Sequence, residues 1–123
     1  MAEEHTRTAK AECIFCRIAS GEARAEIVHQ DDVAVAFRDL NPQAPIHLLV
    51  IPRQHIGSLR DLSDNDDKLA GHLVRICVQA AELAGIAERG FRIVANSGRE
   101  AGQSVDHLHF HVLGGRPMRW PPG

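Results

Sequence analysis

Three histidines, His107, His109 and His111, alternate with apolar residues near the carboxyl end of the chain. Alternate side chains of an extended strand point to one face, so the spacing predicts three imidazoles on one surface and Leu108 and Phe110 in a core on the other. A neutral imidazole, with an unperturbed pKa of about 6.5, can act near neutral pH as a nucleophile, an acid or a metal ligand. A solvated strand face and a three-histidine metal site are the alternatives that this spacing leaves open.

Two further segments carry polar groups that suit a phosphorylated ligand. The loop at 96–104 contains Gly98 and Gly102 and ends at Ser104, so its backbone N–H groups and a hydroxyl could turn towards one anion, although glycines also make ordinary turns. Asp39 follows a predicted strand, and its carboxylate could accept hydrogen bonds from two neighbouring hydroxyls, as ribose recognition requires. The alternative for Asp39 is a turn-forming aspartate.

Cys13 and Cys16 have the spacing of half a zinc site. A complete site needs two more ligands from elsewhere in the chain. The alternative is a pair of buried thiols at the start of a helix. Cys77 lies at a helical position and is most simply a core residue.

Composition narrows the class of protein. A chain of 123 residues suits one domain. Its formal net charge of −2, with both signs mixed along the chain, argues against the broad basic surface that nucleic-acid binding needs. No apolar run approaches the ~20 residues of a membrane span. The polar N-terminus and an odd number of cysteines favour a cytoplasmic location.

The pattern of apolar residues predicts an α+β fold. Residues 1–11 are expected to be a flexible N-terminal tail, and 12–123 a single domain. A short helix is predicted at 13–20 and a long helix at 64–86. The apolar stripe of the long helix comprises Leu69, Leu73, Ile76, Ala80 and Leu83. Strands are predicted at 26–29, 33–38, 46–51, 91–95 and 104–113, which together favour an antiparallel five-stranded sheet.

Residues 102–115 resemble the signature of the histidine triad (HIT) family, in which three histidines alternate with apolar residues. Segments 40–47, 51–56 and 120–123 are similar to the Hint branch in particular, and the resemblance covers about 14–123. It implies a single HIT domain over 12–123, with a HIT-like five-stranded sheet extended across a homodimer. Each protomer would bind a purine nucleotide such as AMP.

The resemblance implies hydrolysis of purine nucleoside 5′-phosphoramidates, such as AMP-amines and aminoacyl-adenylate-like compounds. His109 would attack the α-phosphorus, expel the amine and form a nucleotidyl-histidine that water hydrolyses, with no cofactor required for the chemistry. The carbonyl of His107 would orient His109, while His111, Ser104 and loop amides would hold phosphate oxygens. The implied catalytic residues are His109, His107, His111, His47 and Ser104. The implied nucleotide-binding residues are Asp39, Asn96, Ser104, His109, His111, Phe15, Ile18, Phe37, Leu40, Gly102 and Gln103.

The cysteine pair resembles that of zinc-bearing relatives. In those proteins the first triad histidine and a histidine like His55 complete the site, so the implied structural zinc ligands are Cys13, Cys16, His55 and His107. Asp106 departs from the pattern, because Hint relatives often carry an aromatic residue there. A diadenosine polyphosphate hydrolase, which the ending at 120–123 disfavours, and a nucleotide-binding partner protein with little turnover are the rival functions.

Overall fold

The computed structural model describes residues 7–123, which form seven main elements. They are α1 (Ile14–Ser20), β1 (Ile27–Gln30), β2 (Ala34–Arg38), β3 (Ile46–Pro52), α2 (Asp67–Leu83), β4 (Phe91–Val94) and β5 (Phe110–Gly114). Two short 3-10 helices, Leu59–Asp61 and Asp64–Asp66, precede α2. The five strands form one antiparallel sheet in the order β1-β2-β3-β5-β4, which confirms the predicted α+β fold.

Each helix covers one face of the sheet. On the face under α2, the core contains the small side chains Ala34 and Ala36 beside Leu48 and Val112. On the opposite face, Val35, Phe37, Leu49 and Ile51 pack with Phe15 of α1. Because successive residues of a strand point to opposite faces, β2 and β3 contribute to both cores.

Both ends of α2 are fixed by local hydrogen bonds. Before its first turn, the carboxylate of Asp66 accepts the backbone N–H of Ser63 at 2.8 Å. At the other end, Gly85 has a positive φ of 77° that favours glycine, and the N–H groups of Gly85 and Ile86 donate to the carbonyls of Glu82 and Ala81. This pairing is a Schellman motif, and it ends the helix before residue 86.

Three sequence predictions need correction or comment. The predicted strand at 104–113 is wrong over 104–109, because β5 begins at Phe110, where pairing with β3 starts. Leu83, predicted in the apolar stripe of the long helix, is exposed at the end of α2. Of the predicted tail, residues 1–6 lie outside the described residues, and the Arg7 guanidinium forms an ion pair with Asp66 at 2.6 Å.

Among residues 7–123, no helix is both long enough and apolar enough to cross a membrane.

Candidate active site

The histidine segment and α1 enclose a cavity of about 240 Å³ on the α1 face of the sheet. Its floor follows from the strand register, which aligns Phe37 of β2, Leu49 of β3 and His111 of β5 in one row across the sheet. Phe15 of α1 forms the opposing wall, with its ring centroid 5.7 Å from that of Phe37 and 5.2 Å from that of His109. The cavity therefore has an apolar end at Phe37 and a histidine end at His109 and His111.

The hydrogen bonding of His109 defines its tautomer. Its Nδ1 lies 2.7 Å from the backbone carbonyl oxygen of His107. Since a carbonyl only accepts hydrogen bonds, Nδ1 must carry the proton, and neutral His109 has its lone pair on Nε2. His109 lines the cavity. This is the arrangement of an imidazole nucleophile whose ring is held by its other nitrogen.

His111 is held by a second histidine. The Nδ1 of His47 accepts the backbone N–H of Gln43 at 3.0 Å, so the proton of neutral His47 is on Nε2. That Nε2 lies 2.8 Å from Nδ1 of His111 and 3.4 Å from a carboxylate oxygen of Asp39. Nδ1 of His111 is consequently the acceptor, and its Nε2 carries the proton. The chain of hydrogen bonds from Gln43 through His47 thus makes Nε2 of His111 an N–H donor.

Burial keeps the imidazoles of His47 and His111 neutral. It lowers the pKa of His111 to about 4, with contributions from the neighbouring His109 and His47 and a smaller opposing one from Asp39. Burial also lowers the pKa of His47, which the Asp39 carboxylate partly opposes. At neutral pH both rings are therefore uncharged, as the donor and acceptor assignments above require.

Asp39 lies where β2 ends and lines the same cavity. One of its carboxylate oxygens accepts the backbone N–H of Asn41 at 2.8 Å, so the turn-forming interpretation of this residue is correct. The carboxylate has further acceptor positions, because each oxygen can accept two hydrogen bonds. A turn and a hydroxyl-binding role are compatible at this residue.

A second cluster of ligand-type side chains lies beside the cavity. Cys13, Cys16, His55 and His107 have their ligand atoms within 4.8 Å of one another. Cys13 Sγ is 3.4 Å from Nδ1 of His107, and Cys16 Sγ is 3.2 Å from Nδ1 of His55 and 3.6 Å from Nδ1 of His107. Ligands of a tetrahedral zinc ion lie roughly 3.3–3.8 Å apart, so these separations fit the metal.

The surroundings of His107 also fit a metal ligand. Its Nε2 donates to the carbonyl of Pro52 at 2.8 Å, which leaves the lone pair of Nδ1 facing the two cysteines. The ring is completely buried, and burial lowers its pKa to about 4. Metal-ligating histidines must be neutral, and this environment keeps His107 so. The three triad rings therefore have separate partners, and they do not converge on one metal position.

Most of the predicted nucleotide-binding residues line the cavity. Several further residues also line it, although the sequence did not indicate them. Its predicted lining residues are Phe15, Ile18, Phe37, Asp39, Leu40, Ser104, His109 and His111. Its further lining residues are Ile14, Arg24, Ala25, Arg38, Leu49 and Val105. Arg38 could have been found from the sequence, because its neighbours Phe37 and Asp39 were both predicted to bind the nucleotide. Nothing in the sequence indicates Arg24.

Three predicted nucleotide-binding residues are not among those that line the cavity: Asn96, Gly102 and Gln103. The backbone N–H of Gly102 donates to Arg99 and that of Gln103 to Gly98, so these amides serve the loop's own turns. The side-chain amide of Gln103 donates to the carbonyls of Gly57 at 2.7 Å and Val105 at 3.0 Å. In this structure Gln103 connects the glycine loop to the segment after His55.

The fold and the site define an α+β protein with a histidine-lined pocket, and comparison with known proteins identifies its family. The HIT domain family profile matches residues 20–118. An uncharacterized HIT-like protein of Synechocystis sp. is 47% identical over 110 residues, which cover 89% of this chain and 96% of the relative. The chain belongs to the histidine triad (HIT) domain family.

Solved structures agree with this assignment. The crystal structure of a HIT family hydrolase from Legionella pneumophila has a TM-score of 0.88 and 46% identity, covering 91% of this chain and 100% of that one. A zinc-bound histidine triad family protein from Mycobacterium smegmatis has a TM-score of 0.72 and 31% identity, covering 85% of this chain and 76% of that one. The chain is a hydrolase-like member of the family.

Proposed function

We propose that this protein hydrolyses purine nucleoside 5′-phosphoramidates through a covalent nucleotidyl-histidine on His109. The observation that carries the proposal is the 2.7 Å hydrogen bond from Nδ1 of His109 to the carbonyl of His107. In the neutral ring it places the lone pair on Nε2, the nucleophilic nitrogen, in a cavity that also offers an N–H donor from His111.

In the first step, the Nε2 lone pair of His109 forms a bond to the α-phosphorus of the bound substrate. The bond from phosphorus to the amine nitrogen breaks, and its electron pair leaves with the amine, which takes a proton from solvent. The Nε2–H of His111 donates to a phosphate oxygen as the transition state develops, and the hydroxyl of Ser104 donates to the departing nitrogen. In the second step, water displaces His109 and releases the nucleoside monophosphate.

The remaining cavity suits the rest of a nucleotide. The free acceptor positions of Asp39 suit the two ribose hydroxyls. Beyond Asp39, the flat face of the base would lie against the apolar wall that Phe15, Ile18 and Phe37 form together, close to Leu40 at the entrance. Aromatic and aliphatic walls with a few polar groups are typical of pockets for small ligands.

We propose that Cys13, Cys16, His55 and His107 hold a structural zinc ion, which the thiol and imidazole donor set and its spacing support. A bound zinc ion would link α1 to the segment that carries the triad. The chemical steps proposed above use protein side chains and water, and none is assigned to the zinc ion. Thiol ligands of this kind also support a cytoplasmic location, where cysteines remain reduced.

We further propose that the protein is a homodimer with a continuous sheet. Because β4 is at one edge of the sheet, a second β4 could pair with it about a twofold axis. The buried side chains of α2 pack on the protein's own sheet, so this proposal rests on the sheet edge and not on the helix. Sedimentation at micromolar concentration should show twice the 13.5 kDa chain mass, and a monomer would contradict it.

The function is tested by steady-state hydrolysis of an AMP-amine, with diadenosine tetraphosphate as the competing substrate. We expect turnover of the phosphoramidate to exceed that of the polyphosphate, and His109→Ala to lose at least about three decades of activity while still binding AMP. Faster turnover of the polyphosphate would favour the rival hydrolase. AMP binding without significant turnover of either compound would favour a nucleotide-binding partner protein.

A further inference from the structure

We propose that Arg24 makes the nucleotide pocket selective for guanine over adenine. The inference rests on the proposed function, since it assumes that the cavity holds a nucleotide with its phosphate at His109. It adds a specificity-determining residue at the opposite end of that cavity.

The position of Arg24 follows from the course of the chain around the cavity. Helix α1 begins beside the triad, where Phe15 contacts the ring of His109, and continues past Ile18 to Ser20, with Gly21 as its C-cap. The chain then returns, and Arg24 and Ala25 line the cavity immediately before β1. Arg24 is therefore at the end of the cavity reached by following α1 away from the triad.

The sheet register also indicates that the cavity extends from the histidines towards β1 and Arg24. His111, Leu49 and Phe37 occupy successive strands, and Phe37 pairs with Ile27 of β1. At about 4.8 Å per strand, β1 lies roughly 14 Å from the strand that carries His111. A nucleotide whose phosphate is at the histidines and whose ribose is at Asp39 would thus extend its base towards the segment that carries Arg24.

Two arginines line this end of the cavity, and they differ in their interactions. The guanidinium of Arg38 donates to the carboxylate of Glu26 at 2.7 Å. The side chain of Arg24 forms no hydrogen bond or ion pair with any residue in the part of the chain that the structure describes. Arg24 is consequently the arginine of this pair with all of its N–H donors available to a ligand, whereas Arg38 is held by Glu26 through Nε.

The chemistry of the two purines distinguishes them at this position. Guanine presents two adjacent acceptors, O6 and N7, which match the paired N–H donors of an arginine. Adenine presents N7 beside an amino group, which is itself a donor and opposes a guanidinium. Because Arg24 is exposed to solvent, we expect roughly a three- to tenfold preference for guanine, which lies around the lower end of the range of such contacts.

The test is calorimetric titration of the full-length protein with GMP, AMP and IMP, followed by the same titrations of Arg24→Ala and Arg17→Ala. Arg17 is the matched control, because it is an exposed arginine of α1 that does not line the cavity. We expect the parent and Arg17→Ala to bind GMP three- to tenfold more tightly than AMP, and Arg24→Ala to bind them about equally.

IMP identifies which edge of the base is recognised. It keeps O6 and N7 but lacks the 2-amino group, so the proposal predicts that IMP binds as GMP does. Equal affinity of the parent for GMP and AMP, a preference that persists in Arg24→Ala, or IMP binding like AMP would each overturn the role of Arg24. A parent protein that binds none of the three nucleotides would instead overturn the proposed function.

Discussion

The chain of hydrogen bonds through His47 predicts that two substitutions at this residue differ sharply in activity. His47 accepts from the backbone N–H of Gln43 through Nδ1 and donates to His111 through Nε2. An asparagine amide oxygen takes roughly the place of Nδ1, whereas a glutamine amide nitrogen takes roughly the place of Nε2. His47→Asn therefore keeps the bond to Gln43 and loses the bond to His111, and His47→Gln does the reverse.

The size of the difference follows from burial. His47 has only 5% of its surface exposed, so water cannot replace the lost donor to His111. A buried polar group left without its partner costs about 1–3 kcal/mol. If the bond to His111 is needed in the transition state, that range corresponds to a difference of about five- to 150-fold in kcat/KM.

The assay is the kcat/KM of both variants for an AMP-amine, alongside their thermal unfolding. We expect His47→Gln to be at least about fivefold more active than His47→Asn, while both remain folded. Equal activities, or a more active asparagine variant, would refute the assignment of His111 as an N–H donor fixed by His47.

Three further predictions concern stability and metal binding. Arg7→Ala removes the paired hydrogen bonds to Asp66, of 2.6 and 2.7 Å, and should lower the free energy of unfolding at pH 7 by about 2–3 kcal/mol, with a smaller loss for Arg7→Lys. The pair with Arg7 holds the pKa of Asp66 far below its usual value. The difference in the free energy of unfolding between the parent and Arg7→Ala should therefore shrink as the pH falls below about 3.9. A difference that stays constant with pH in urea unfolding would contradict this. The pKa of His111, about 4 when folded, lies below its unfolded value, so parental stability should decrease as the pH falls from about 6.5 to 4, and His111→Gln should flatten that slope. Protein purified without chelator should contain about one zinc ion per chain by elemental analysis. Cys16→Ser should lose the zinc ion together with thermal stability, whereas the control Cys77→Ala should retain the zinc ion. A zinc-free parent would end the metal proposal.

The sequence predicts the sheet well where side-chain pattern and strand pairing agree. Apolar residues with turn residues between them define β2 and β3, and both strands lie within one or two residues of their predicted bounds. The histidine segment shows the limit of such a pattern. Alternation persists from His107 to Val112, yet only Phe110 onwards pairs with β3, because pairing depends on a partner strand that alternation cannot reveal.

The candidate site, like the sheet, was predicted only in part from the sequence. The spacing of the triad indicates which rings share a face, but the partner of each ring is set by residues far away in sequence, such as Pro52 for His107 and Gln43 for the chain to His111. Gln103 is a similar case, since its side-chain amide donates to the carbonyl of Gly57, 46 residues away, and no local pattern predicts that bond. Arg24 has no sequence signal, because it reaches the cavity only through the return of the chain after α1.

The central claim, that His109 forms a covalent bond to the nucleotide, is tested most directly by rapid-quench mass spectrometry. The full-length protein is mixed with excess AMP-amine, quenched under conditions that preserve phosphorus–nitrogen bonds, and digested for peptide sequencing. The account predicts an added AMP group on His109 within the first turnover and none in His109→Ala. Rapid hydrolysis with no adduct under these conditions, or an adduct located on another residue, would contradict it.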